Sequence, residues 1–129
     1  MNWFKPSILY ILDINGVVKF GVTSNWDARI RNYKKEVGDF PLTIIKRYQY
    51  EHFWQAELIE QLMKWQLKEK AEHGKHEYVR TSIPVVLNVY HKTTREIMHQ
   101  IDDFSKVHID EKFRWAKYKV IAKDLFDVE

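Results

Sequence analysis

The dipeptide Asn15-Gly16 separates two β-prone runs, residues 8–12 and 17–22. Asn-Gly at such a junction predicts a two-residue hairpin, because both central positions of the type I′ turn need positive φ. The turn then sets the register by counting. Ile14 faces Val17, Leu12 faces Lys19, and Tyr10 faces Gly21. Side chains alternate along a strand, so Tyr10, Leu12, Lys19 and Gly21 project from one face. Gly21 leaves space beside the Tyr10 ring.

The rest of the chain is read outward from this hairpin. Thr23-Ser24-Asn25 is a helix-start signal for a helix over 26–37, and Gly38 stops it. Ile30, Tyr33 and Val37 mark its inner stripe. Arg29 neighbours Tyr33 and Trp26 at helical spacing, while Arg31 points elsewhere. Pro41 opens a third strand over 42–50, and the longest helix is expected over 52–72, ended by Gly74. Residues 77–80 read as a short strand or extended loop. Residues 83–89 are apolar, but Pro84 argues against a regular central strand there. Thr93 or Thr94 caps an expected helix to about 104, and a last helix is expected over 110–126. The fold class is α+β: a small, mainly antiparallel three-stranded sheet flanked by helices, plus two C-terminal helices. Residues 1–90 form the domain, and 91–129 a helical extension packed on it.

A chain of 129 residues is one domain in size. Its 45% hydrophobic and 15% aromatic content supports a real core and argues against disorder. The absence of cysteine excludes disulfides, cysteine–zinc sites, iron–sulfur clusters and thiol catalysis, and is compatible with a reducing cytoplasm. The net charge of +3 permits an acidic partner without requiring one. No apolar run approaches the ~20 residues of a membrane span, and no targeting segment is visible, so a soluble protein is expected. With four glycines no phosphate-cradling loop exists. His73 and His76 lack a second cluster that would make a zinc site.

In the longest helix, Phe53, Ala56, Glu60, Met63 and Leu67 share one stripe. Trp54, Leu58, Leu62 and Trp65 form a second. Glu60 therefore interrupts an apolar face, and an ionised carboxylate there is costly unless paired. Either it holds a ligand or it forms a structural salt bridge, with Arg29 as one candidate partner. Tyr10, Lys19 and Arg29 can converge with it on one concave surface. Phosphodiester hydrolysis needs a proton acceptor, a cation for the developing charge, and a carboxylate for a hard divalent metal. Tyr or Lys could serve the first need, Arg the second and Glu the third. Taken singly, Tyr10 reads as a sheet aromatic, Lys19 as a solvated strand residue and Arg29 as a surface charge.

As a set, these residues resemble the GIY-YIG nuclease superfamily. Ile8-Leu9-Tyr10 is similar to the first motif, with Ile8 in place of its Gly. Val18-Lys19-Phe20-Gly21-Val22-Thr23 resembles the second motif in a branch that carries Lys for Tyr, common in phage and bacterial proteins. Arg29 follows Gly21 by eight residues, and Glu60 ends an Ala-x-x-x-Glu step similar to the family's later helix. The resemblance covers about residues 7–89. It implies a DNA endonuclease in the bacterial or phage-infected cytoplasm, using Mg²⁺ or Mn²⁺ held by Glu60 as the lone protein ligand. Tyr10 or Lys19 would activate water, and Arg29 would grip the phosphate. Thr23, Arg31, His76 and Asn88 are further candidates for nucleic-acid contact. So are Lys112, Lys119 and Lys123, which line one side of the last expected helix, although such a row is also an ordinary solvated face. The C-terminal helices offer a homodimer contact. The alternative is a nucleic-acid- or protein-binding module that keeps the fold without catalysis, a possibility raised by Ile8 and Lys19.

Overall fold

A computed structural model describes residues 5–39, 41–72 and 75–100. The hairpin forms as counted. Strands β1 (Ser7–Ile14) and β2 (Val17–Thr23) pair antiparallel, with Tyr10 opposite Gly21 and Leu12 opposite Lys19. Asn15 and Gly16 adopt φ of 50° and 89°, the left-handed pair that the turn demands. Helix α1 (Trp26–Val37) is capped by Asn25, whose side chain accepts the Ala28 N–H at 3.1 Å. Strand β3 (Leu42–Tyr50) pairs with the other edge of β1. Its register slips between Ile11 and Leu12, leaving Ile45 as the extra residue of a bulge.

Helix α2 (Phe53–Gln66) ends earlier than the sequence pattern suggests. The Leu67 N–H still bonds to Met63 O, but residues 68–70 then tighten into a 3₁₀ turn. The pattern reads through because Leu67, only 1% exposed, continues the apolar stripe. The chain turns away there because β2 has an open edge to fill. Strand β5 (Lys75–Val79) supplies the pairing, with Val79 opposite Val18 and Tyr78 opposite Lys19, and β4 (Ala71–Glu72) pairs with the far side of β5. The sheet therefore has five strands rather than three, in the order β3-β1-β2-β5-β4. Gly74 lies outside the described residues.

The third helix also departs from expectation. Helix α3 (Ile83–Gln100) starts ten residues before Thr93 and runs without a break past residue 90. Pro84 falls in its first turn, where a missing N–H costs nothing. The Val85 and Val86 N–H groups bond to Ser82 O. Thr93 and Thr94 are mid-helix, their hydroxyls donating back to Val89 O and His91 O at 2.7 and 3.0 Å. Gln66 also donates to Thr93 at 2.7 Å, tying α2 to α3. The last expected helix lies outside the described residues, as does any dimer contact it would make.

The architecture is α+β in three layers. Helices α2 and α3 cover one sheet face, burying Leu9, Ile11, Val18 and Phe20 against Leu58, Leu62, Met63, Val86 and Ile97. Helix α1 covers the other, over Ile8, Tyr10 and Leu12. Burial on both faces explains why residues 8–12 read as unbroken apolar sequence instead of alternating. No helix among the described residues is long and apolar enough to cross a membrane.

Candidate active site

Tyr10 sits at the centre of the α1-facing layer and is fully buried. Its ring packs against Trp26 and Tyr33, with centroids 5.7 and 6.0 Å away. Its hydroxyl lies 2.9 Å from that of Tyr33 and accepts a hydrogen bond from Arg29 Nη1 at 3.1 Å. Gly21 makes this position possible. A Cβ built there would lie 2.5 Å from the Tyr10 hydroxyl and 2.8 Å from the ring carbon bearing it.

Lys19, one strand over, is 5% exposed rather than solvated. Its ammonium stands 4.6 Å from the Tyr78 ring centroid and 6.0 Å from that of Tyr33. Lys19 and Arg29 open onto a cleft of about 300 Å³ also lined by Asn32, Tyr33, Glu36 and Tyr78. Tyr10 forms no part of the cleft lining and reaches it through Tyr33 and Arg29.

Burial is the largest influence on both phenols. It raises the Tyr10 pKa, against the opposing pull of the Tyr33 hydrogen bond and the Arg29 charge, and Glu60 adds a smaller push upward. Burial also raises Tyr33, and donation to Tyr10 raises it further. Burial disfavours the Arg29 charge, but the neighbouring phenols outweigh it and hold the guanidinium protonated. At neutral pH the group therefore comprises two phenols and one cation. If one phenol ionises, it is Tyr10, which has two donors aimed at its oxygen.

These shifts carry a stability prediction. A phenol whose pKa is higher folded than unfolded keeps its proton more tightly in the native state. Its contribution is complete below the ordinary value near 10 and is lost as pH rises above it. Tyr10, Tyr33, Tyr50 and Tyr90 all shift upward, chiefly through burial. Spectrophotometric titration should show these tyrosines ionising only together with unfolding, at a pH above the ordinary phenol range. Reversible ionisation of all seven tyrosines near pH 10 in a protein with native circular dichroism would contradict the burial.

Glu60 is placed differently. It does not line the cleft; its Oε1 lies 2.8 Å from Lys64 Nζ, one turn along α2. The salt-bridge partner is thus Lys64 and not Arg29. The carboxylate remains close enough to Tyr10 for its charge to be felt there. Among the described residues no group of three or more metal-ligand side chains exists. A lone carboxylate with its side chain 13% exposed suits a hard cation that keeps most of its waters, provided that the cation displaces Lys64.

The remaining candidates scatter. The Thr23 hydroxyl is engaged in the turn before α1, donating to Asn25 O at 3.1 Å and accepting its N–H at 3.0 Å. Arg31 is exposed on α1 and does not line the cleft. Asn88 is exposed on α3, which packs on the opposite sheet face. The His76 backbone belongs to β5, but its side chain lies outside the described residues, as do Lys112, Lys119 and Lys123.

Asn32, Glu36 and Tyr78 were not among the candidates, and Tyr33 was read only as core. The α1 residues carry a signal: 29, 32, 33 and 36 share one helical face. Tyr78 carries none, because its place beside Lys19 depends on a strand pairing that hydropathy does not encode. No family model, curated protein or solved structure matches this chain.

Proposed function

We propose that this chain is a divalent-metal-dependent DNA endonuclease of the GIY-YIG type. What carries the reading is that Lys19 and Arg29 line one cleft while Tyr10 lies buried behind it, with Arg29 3.1 Å from the Tyr10 hydroxyl and the Glu60 charge felt at the same phenol. Three separate stretches of chain supply these groups, and a fold without such a site has no need to gather two cations beside a buried phenol pair.

Arg29 spends one N–H on Tyr10 and keeps other donors for a phosphate in the cleft, where two parallel hydrogen bonds orient it. Lys19 adds a second, non-directional positive charge. Both are most effective on the extra negative charge of the pentacovalent phosphorus, which is where stabilisation accelerates the reaction. Tyr10 enters the reaction as a neutral phenol. In that state it positions the guanidinium; to act as a base it would first have to release its own proton to solvent, leaving a phenolate that Arg29 and Tyr33 would stabilise. Mg²⁺ held by Glu60 would supply further positive charge to the phosphate and lower the pKa of the attacking water.

Replacing Glu60 tests the reading. Wild type should nick supercoiled plasmid with Mg²⁺ and not in EDTA, and Glu60→Gln should slow nicking by ~100-fold or more. Circular dichroism checks that the variant folds, because the lost pairing with Lys64 involves a mostly buried carboxylate. Equal, background-level nicking by wild type and variant would remove catalysis from the reading.

Two observations favour the rival, a nucleic-acid-binding module without turnover. Tyr10 is fully buried with a raised pKa, and Glu60 is already paired. A low-salt gel shift by wild-type protein that never nicks would select that rival.

A further inference from the structure

Hydrolysis of a phosphodiester needs a group that takes a proton from water. Tyr10 cannot do so while its own proton is in place, and burial holds that proton there. The cleft itself offers another acceptor. Lys19 and Arg29 are cations, Asn32 is an amide, and Tyr33 and Tyr78 are phenols. Burial and donation to Tyr10 keep the Tyr33 proton in place. The Tyr78 ring carries the Lys19 ammonium. Among the described residues of the lining, Glu36 is the one carboxylate. It is exposed on α1, and an exposed carboxylate is ionised at neutral pH. It also stands in the last turn of the helix, where the partial negative charge of the C-terminus disfavours an acid. No ion pair among the described residues compensates it. The stability of α1 therefore gives no reason for a carboxylate here.

We propose that Glu36 is the general base of the cleft, taking the proton from the water that attacks a phosphate held by Lys19 and Arg29. The inference rests on the nuclease reading of the cleft and names its proton acceptor. Arg29 and Glu36 are seven residues apart on α1, which places them on one face and about 10.5 Å apart along the axis. A phosphate on the guanidinium, a water ~3.3 Å from its phosphorus and a ~2.8 Å hydrogen bond from that water to the carboxylate span about the same length. The cleft of about 300 Å³ has room for the phosphate and the water. The separation of two turns also keeps the carboxylate from closing an ion pair with Arg29. In the reaction Glu36 takes one proton from the water, and the hydroxide oxygen forms the new bond to phosphorus. The bond from phosphorus to one ester oxygen breaks, and its electron pair leaves with that oxygen. The oxygen then takes a proton from solvent, and Glu36 returns its own to solvent. One water is consumed, and the products are a phosphate monoester and a hydroxyl group.

The test is the pH profile of plasmid nicking in Mg²⁺ by wild type and by Glu36→Gln, which keeps the shape of the side chain and removes the base. The variant should lose ~100-fold or more in kcat at neutral pH with KM nearly unchanged. Wild-type kcat should be nearly level from about pH 6.5 to 8.5, whereas hydroxide must replace the base in the variant, whose kcat should climb about ten-fold per pH unit. The titratable groups that face Glu36 are Lys19 and Tyr78 from the sheet and Arg29 and Tyr33 from its own helix. They are the same in both proteins, so a changed profile reports on Glu36. Glu36→Asp should recover part of the rate, because it keeps the carboxylate on a shorter stem. Both variants should melt close to wild type, since Glu36 is exposed. Nicking by Glu36→Gln at the wild-type rate would overturn the assignment and leave the nuclease reading standing. So would a rise in KM alone, which marks a binding residue, or a lowered kcat with the wild-type pH profile, which marks a positioning one. Failure of wild type to nick at any pH would overturn both.

Discussion

Gly21→Ala is expected to destabilise the protein by about 3 kcal/mol, at the upper end of the usual overpacking cost. The added methyl would lie 2.5 Å from the Tyr10 hydroxyl and 2.8 Å from its ring carbon. Real Cβ atoms do not approach that closely, so something must move. The ring has little freedom to do so. It is fully buried, wedged between Trp26 and Tyr33, and held at its hydroxyl by Tyr33 and Arg29. Moving it would break two hydrogen bonds and an edge-to-face contact together. Urea unfolding should show a lower midpoint with an unchanged slope, and Tm should fall by about 10 °C. The same substitution in a Tyr10→Leu background should cost well under half as much, since the clashing atoms are gone. Gly16→Ala provides the contrast: a Cβ there meets nothing within 4 Å, so only its φ of 89° is at stake, a cost of about 1 kcal/mol. Equal losses at the two glycines would mean that the Tyr10 contact is not what Gly21 serves.

Arg29→Ala is expected to reduce plasmid nicking by ~100-fold or more, with the fold retained. The residue faces two ways. Inward it donates to Tyr10 at 3.1 Å; outward it lines the cleft. Losing the inward bond costs only about 1 kcal/mol, because Tyr10 keeps Tyr33 as a partner. Losing the outward donors would remove the directional grip on phosphate that the proposed function assigns to Arg29. The deficit should therefore appear in kcat more than in KM. Arg29→Lys should recover little, because an ammonium restores charge but not the planar pair of donors. Removing the cation should also drive the Tyr10 pKa further up, since Arg29 is one of the influences holding it down. Nicking by Arg29→Ala at the wild-type rate would place the reaction elsewhere on the molecule.

Much of the site could be counted from residues 10–29 alone. A two-residue turn leaves no freedom in register, so Tyr10, Lys19 and Gly21 fall on one face once Asn15-Gly16 is recognised. The helix signals around Asn25 and Gly38 then bring Arg29 back over that face. These are short-range constraints, set by φ preferences and side-chain alternation within twenty residues. The errors lie where short-range signals compete with distant partners. Leu67 continues the α2 stripe, yet the helix stops there because strands β4 and β5 complete the edge of β2. Thr93 and Thr94 have capping chemistry, yet they satisfy their hydroxyls inside α3 because Pro84 can begin a helix as readily as it can break a strand. Glu60 was legible as an anomaly, but its partner was not. Arg29 and Lys64 both satisfy a carboxylate, and only packing decides which one arrives.

The local sequence determined the hairpin, its register, the first helix and the meeting of Tyr10 with Gly21 and Lys19, because turn geometry and strand alternation leave one arrangement open. Tertiary structure decided the rest: the burial that keeps Tyr10 protonated, the pairing that sets Tyr78 beside Lys19, and the position of Glu60 outside the cleft. Those features depend on which surfaces meet across the sheet and how much water they exclude. That free energy is shared among residues far apart in the chain, and no local pattern carries it.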